Sequence, residues 1–192
     1  MSDAETRELG LRHLGHSVRI SRHALFLAPE LTSIGDYSRI DAYCVLSAGG
    51  AGLSIGRNVH LSAFVSVLGQ EAVEIGDFAT LSVRCSIFSS NDDYSGATMA
   101  NPTVPAEIRG AVSAPVRIGP HAILGVGTTV LPGATIGESV SVGAGSLIKE
   151  DVPAFAMVAG VPARFIRSRR REHRALAEAW LAEEAAGKRE KP

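Results

Sequence analysis

One aliphatic position recurs every six residues through most of this 192-residue chain. From Ile118 the step runs through Leu124, Val130, Ile136, Val142 and Ile148 to Ala154. Upstream it runs Ile34, Ile40, Leu46, then Ile55, Leu61, Val67, then Ile75, Leu81, Ile87. Four residues after these aliphatics, except in the third hexads beginning at Leu46, Val67 and Ile87 where the insertions start, stands a small or short side chain: Ser38, Cys44, Val59, Val65, Ala79, Cys85, Ala122, Thr128, Ala134, Val140, Ser146, Val152. A helix of 3.6 residues per turn cannot hold a six-residue register on one face, whereas six is a multiple of the strand period of two. Each hexad therefore predicts a short strand and a turn, with the aliphatic and the small residue both pointing inward. Three hexads make one triangular coil of eighteen residues. The longer spacings, twenty-one from Ile34 to Ile55 and twenty from Ile55 to Ile75, put the extra residues after a third hexad, so they leave from one corner.

The interruptions define the organisation. Residues 1–17 are a polar lead-in with a short helix, and residues 18–33 an imperfect first coil with Ile20 and Ala24 in the right relation. The repeat stops after Ile87 and resumes at Ile118, leaving a loop over residues 89–115 after the third regular coil. It carries Asn91-Asp92-Asp93-Tyr94-Ser95-Gly96 and Asn101-Pro102-Thr103-Val104-Pro105. Loops this long in compact domains are usually functional or disordered, and prolines and an aromatic favour a shaped one. The coils end after Asp151-Val152-Pro153. From residue 168 to about 188 the chain reads as a helix, with Leu176, Trp180 and Leu181 as its apolar stripe, placed to cap the open end of the solenoid. The expected division is a lead-in over 1–17, a repeat domain over 18–166 carrying the 89–115 loop, and a helix and tail over 167–192.

A hexad of aliphatic, glycine, two variable residues, a small residue and one more resembles the hexapeptide-repeat family. The resemblance covers residues 34–167 and implies an all-β fold, a left-handed parallel β-helix. It also implies acyl transfer from a coenzyme A thioester, in a homotrimer whose active site is shared between neighbouring subunits. Val142-Gly143-Ala144-Gly145-Ser146-Leu147-Ile148-Lys149, followed by Ala159-Gly160-Val161-Pro162-Ala163-Arg164, is similar to the C-terminal signature of galactoside and maltose O-acetyltransferases. There the pantetheine arm lies beside the last coils against backbone amides, and basic residues meet the phosphates, for which the arginine fork is suited. Carried over, the acetyl-CoA contacts are Gly125, Val126, Ala144, Lys149, Arg164 and Arg167. Val126 stands where the galactoside enzymes have serine, and Lys149 where they have threonine.

O-acyl transfer needs a general base, because a sugar hydroxyl is a poor nucleophile at neutral pH. In the related acetyltransferases a histidine supplies it where the coil gives way to the long loop. The matching stretch here, residues 89–94, has none. Either a base comes from elsewhere, or the acceptor is an amine. His60, at an outward corner, is the candidate base, with Asp92 or Asp93 of a neighbouring subunit orienting it. Asn91 and Tyr94 are candidates for the sugar. His121 also faces outward. The resulting expectation is a sugar O-acetyltransferase of surface-polysaccharide biosynthesis. The alternatives are N-acetylation of a nucleotide-linked amino sugar and, from a different class, an inactive β-helix binding module. A zinc lyase on the same fold needs three histidines from adjacent coils. The regular coils offer only His60 and His121, so no metal is expected.

A net charge of −1 gives no general pull towards nucleic acid or membrane. Aromatics at 5% suit a narrow aliphatic core. Cys44 and Cys85 occupy small inward slots two coils apart, ~10 Å at the ~4.8 Å strand spacing, too far for a disulfide. The first residues lack a signal-peptide core and no stretch of eighteen apolar residues exists, so a cytoplasmic enzyme without membrane insertion is expected.

Overall fold

The computed structural model describes residues 1, 3–47 and 49–186. The hexads form three parallel sheets that wrap into a triangular prism, each coil donating one strand to each face. The first face holds the strands ending at Leu14, Ile34, Ile55, Ile75, Ile118 and Ile136. The second holds those ending at Ile20, Ile40, Leu61, Leu81, Leu124 and Val142. The third runs from Leu25–Leu27 to Leu147–Ile148. Equivalent aliphatics pair in register from coil to coil, as in Ile34↔Ile55 and Leu81↔Leu124.

Both inward positions fill the prism. The aliphatics from Ile34 to Ile148 and the small residues from Ser38 to Ser146 are buried. The fourth residue of a hexad turns the corner in the left-handed region, even where it is bulky: φ is 62° at Tyr43 and 63° at Phe64. Glycine after the first aliphatic has a packing cause: a Cβ on Gly125 would sit 2.6 Å from the Ala144 nitrogen of the next coil. Buried Ser38 is satisfied between coils, whereas Thr32 Oγ1 finds no partner among the described residues. Ser38 Oγ donates to the Gly56 carbonyl and accepts from the Val59 amide. Cys44 and Cys85 are free and buried, each Sγ 3.2 Å from a carbonyl of the next coil, and burial pushes both thiols up to about 11.

Three features differ from the sequence reading. The prism starts at His13–Leu14, before residue 18, because Leu14-Gly15-His16-Ser17-Val18-Arg19 is itself a hexad whose Leu14 pairs with Ile34. The last coil is two residues short. Val152, not Ala154, continues the Ile136 column, and Val158 continues that of Val142. Val152 and Ala156 are buried while Ala154 is exposed, so the six-residue step breaks at Asp151-Val152-Pro153.

The C-terminal helix is the third difference. Helix α2, Glu172–Ala185, lies along the side of the prism instead of capping its end. His173 reaches Ser139 in a late coil, Trp180 packs edge-on against Phe78, and Glu184 pairs with Arg57 in an early one. Trp180 and Leu181 are half-buried, but Leu176 is exposed and stands outside the stripe expected of it. The end of the prism is finished by the antiparallel strands Ala156–Gly160 and Ala163–Ser168. Residues 187–188 of the expected helix and the tail to 192 lie outside the described residues. At the other end a short helix α1, Asp3–Arg7, precedes Leu9 and Leu11, which pack on the core.

Candidate active site

One edge of the prism concentrates the chemistry. On the second face the outward side chains of successive strands stand in register as Arg19, Arg39, His60, Thr80, Ile123 and Ser141. The next aliphatic points in, and the corner position that follows reads Ser21, Asp41, Ser62, Ser82, Gly125 and Gly143. The strip is charged in the first coils, hydroxyl-bearing in the middle and reduced to backbone in the last.

His60 Nε2 lies 2.8 Å from Asp41 Oδ2 of the preceding coil, and Arg39 Nε donates to Asp41 Oδ1 at 2.7 Å. The hydrogen bonds from His60 and Arg39 outweigh the opposing effect of burial and hold the Asp41 carboxyl below the usual carboxylate range. An ionised carboxylate only accepts, so His60 donates from Nε2 in this pair. Within one chain the carboxylate that orients His60 is thus Asp41. Asp92 and Asp93 leave the prism at a different corner, between the third and first faces, as do all the insertions.

The 89–115 loop is a shaped arm. Ser90–Asp92 pairs antiparallel with Ala111–Ser113, and buried Ser89 donates to the Glu71 carbonyl at 2.7 Å. The adjacent aspartates divide. Asp93 Oδ1 accepts from the Ser95 amide at 2.7 Å, and its Oδ2 accepts from the Thr98 amide and hydroxyl at 2.9 and 2.8 Å. Hydrogen bonds from Ser95 and Thr98 hold this carboxyl far below the usual range. Asp93 is therefore spent on bracing the arm, as aspartates in turns often are. Asp92 is exposed, and its carboxylate has no partner among the described residues. Asn91 is half-buried opposite Val112, and Tyr94 projects with 84% of its surface exposed.

Of the residues expected to hold coenzyme A, Gly125, Val126 and Ala144 follow Ser82 and Val83 along the strip. Gly145 donates its amide to the Val126 carbonyl at 2.8 Å. Lys149 and Arg164 come together on a cavity of about 320 Å³ at the last coil, with Val152, Pro153, Val158 and Phe165 as apolar wall. Arg167 lies further along the terminal strand, opposite Met157, and does not line this cavity. In the basic run after it, Arg169 has a structural task. It donates to the carbonyls of His121 and Ser139 at 2.9 and 3.1 Å. The hexad pattern did not single out Asp41 or Ser82. The available signal was their place in the second position of a hexad, where the later coils carry Gly125 and Gly143.

Residues 115–150 match the family model described as bacterial transferase hexapeptide (six repeats). The chain is 40% identical to the dTDP-4-amino-4,6-dideoxy-D-glucose acyltransferase of Escherichia coli over 169 residues, 88% of each chain. Its fold superposes with a TM-score of 0.92 on AntD, an N-acyltransferase from Bacillus cereus, solved in complex with dTDP and 3-hydroxybutyryl-CoA. Identity is 33%, covering 96% of this chain and 97% of that one. AntD has also been solved as variants of one aspartate and of a serine ten positions before it. A maltose O-acetyltransferase from Clostridium difficile 630 shares the fold at 21% identity and a TM-score of 0.55, over 88% of this chain and 78% of its own. The near full-length likeness to the Escherichia coli enzyme and to AntD, on the six-residue repeat that builds the prism, establishes that this chain belongs to the hexapeptide-repeat acyltransferases.

Proposed function

We propose that the chain is an N-acyltransferase that moves an acyl group from a coenzyme A thioester to the amine of a nucleotide-linked amino sugar, of the dTDP-4-amino-4,6-dideoxyglucose kind. This reverses the preference of the sequence reading, which put a sugar hydroxyl first. The observation that carries it is the free Asp92 carboxylate, on the arm where the related O-acetyltransferases place their histidine. A hydroxyl needs a base able to take its proton; an amine arrives as an ammonium ion, which a carboxylate can hold and relieve of its proton.

Ser82 and Asp92 are ten residues apart, the spacing of the serine and aspartate varied in AntD, and within two positions of their numbers there. Ser141 and Asp151 share the spacing but lie far from those numbers. We assign Asp92 to the ammonium and the Ser82 hydroxyl to the thioester carbonyl oxygen. Asp92 takes one proton from the ammonium and frees its lone pair; as the C–N bond forms and the C–S bond breaks, the second nitrogen proton goes to the sulfur and the coenzyme leaves as thiol. Gly125, Val126 and Ala144 take the pantetheine arm, with Lys149 and Arg164 at the far end for phosphate.

Asp92 and Ser82 sit on different edges of one prism, so the site closes between copies in a homotrimer. Exposed Tyr94 and Val112 on the arm, and Tyr43 and Phe64 on the corner beside Ser82, supply apolar surface for that contact. The test is thiol release from acetyl-CoA and 3-hydroxybutyryl-CoA with dTDP-4-amino-4,6-dideoxyglucose, its 4-hydroxy counterpart and a galactoside. Release with the amino sugar alone is expected. Release with the hydroxyl sugars alone would return the O-acylation reading to first place.

A further inference from the structure

The first coils carry charged groups that the acyl transfer leaves unused. Arg19 and Arg39 are in-register neighbours on the second face, both exposed. They line an open cleft of about 670 Å³ with Val18, Ile20, Ser21 and Asp41. The Arg19 guanidinium has no partner among the described residues. Arg39 gives only its Nε to Asp41, which leaves both terminal nitrogens for a ligand. Asp41 accepts from both Arg39 and His60 and offsets one of the two guanidinium charges, so the cleft keeps one net positive charge. Their strands lie one spacing apart, ~4.8 Å, so the two arginines rise from adjacent rungs, an arrangement that suits an anion with two adjacent charged centres.

We propose that Arg19 and Arg39 form the subsite for the diphosphate of the nucleotide-linked acceptor. The inference rests on the nucleotide-sugar reading above and deepens it. The strip gives the direction. From Arg19 to Thr80, the neighbour of Ser82, is three coil steps, roughly 14 Å. A nucleoside diphosphate bound at Arg19 and Arg39 extends its sugar past His60 towards Ser82. The thioester approaches Ser82 from the opposite side, over Gly125 and Ala144, where small residues let it lie close to the backbone. The two substrates thus enter along one edge from opposite ends.

A diphosphate could come from the acceptor or from coenzyme A itself, and the two are separated by calorimetric titration of the full chain with dTDP, thymidine and coenzyme A. The variants are Arg19→Ala, Arg39→Gln and the double substitution; Arg19→Ala removes no contact within the described residues, so it leaves the fold intact. The expected result is weakening of dTDP binding by about ten-fold or more in each single variant, as for a lost charge-assisted hydrogen bond. Coenzyme A binding stays as in wild type, and any thymidine binding is insensitive to both substitutions. Unchanged dTDP affinity in the double variant, with wild type binding dTDP, overturns the subsite alone. Weakened coenzyme A with unchanged dTDP overturns it by placing the cofactor's phosphates here. A wild-type chain that binds coenzyme A but neither dTDP, UDP nor GDP removes the nucleotide-sugar reading itself, and the subsite with it.

Discussion

Arg57 and Glu184 stand 127 residues apart in the chain and meet at 2.8 Å, both partly buried. The pair ties the C-terminal end of α2 to an early coil, while His173 ties its start to Ser139. A fourteen-residue helix is marginal alone in water, so its helicity depends on docking. Trp180 lies between the two ties, its ring 6.0 Å from that of Phe78. Trp180→Ala should therefore release α2 and leave the prism intact. Amide exchange would quicken across residues 172–185 and stay slow in the coils, with a stability loss of about 1–3 kcal/mol. Unchanged protection of α2 would mean that the ion pair, not the indole, holds it.

The same corner should make stability depend on pH. His121 stacks on Phe78 at 4.9 Å and faces His173 at 5.6 Å. Burial lowers both below the ordinary histidine value, with Arg169 adding to the effect on each; Arg174 and His121 add further, while nearby Glu138 opposes it. A histidine whose folded pKa is depressed takes its proton more readily in the unfolded chain. Its contribution is fully present above about pH 6.5 and lost as pH falls from there through the folded values. The melting temperature should fall between pH 7.5 and 5, more in wild type than in His173→Gln. Equal pH slopes for the two proteins would remove this histidine from the account.

How far the fold was legible shows at the last coil. The columns from Ile34 to Ile148 followed from the six-residue step alone, because two inward side chains per hexad leave the register no freedom. The step cannot announce its own shortening, and Val152 satisfies both inward slots chemically, small enough for one and aliphatic enough for the other. The structure puts Val152 under Ile136 and turns Ala154 outward. Val142→Asp and Val152→Asp should each bury an unpaired charge, cost about 3–5 kcal/mol and prevent stable folding, whereas Ala154→Asp should melt like wild type. Expression and melting temperature of the three decide it; a destabilised Ala154→Asp would restore the unbroken repeat. The site was less legible for a related reason. Outward positions carry no period, so Asp41 beneath His60 emerges only once strands of different coils lie side by side.

The cofactor assignment separates residues that the sequence treated alike. Lys149 and Arg164 share the terminal cavity, and Arg167 does not line it. Lys149→Ala and Arg164→Ala should raise KM for acyl-CoA about ten-fold, the scale of one charge-assisted contact, with little change in KM for the acceptor. Arg167→Ala should do less. Initial-rate kinetics with both substrates varied provides the check, and an equal rise for all three variants would extend the phosphate site along the terminal strand.

Asp92 and Asp93 give the sharpest contrast, because neighbours in sequence have opposite surroundings. Asp92→Asn removes a free carboxylate and keeps its size. If that carboxylate holds and deprotonates the ammonium, kcat should fall by about 10²–10⁴-fold while coenzyme A binding and melting temperature stay unchanged. Asp93→Asn removes an acceptor that braces Ser95 and Thr98. Its effect should be on order: faster exchange or proteolysis in the arm, a higher KM for the acceptor, and a kcat loss smaller than that of Asp92→Asn. The pH profile distinguishes the roles further. An amine acceptor becomes its own nucleophile as pH rises past its ammonium pKa, so the Asp92→Asn defect should shrink at alkaline pH, and a bracing defect should not. If Asp93→Asn abolishes turnover with an intact arm while Asp92→Asn is nearly silent, the two assignments must be exchanged.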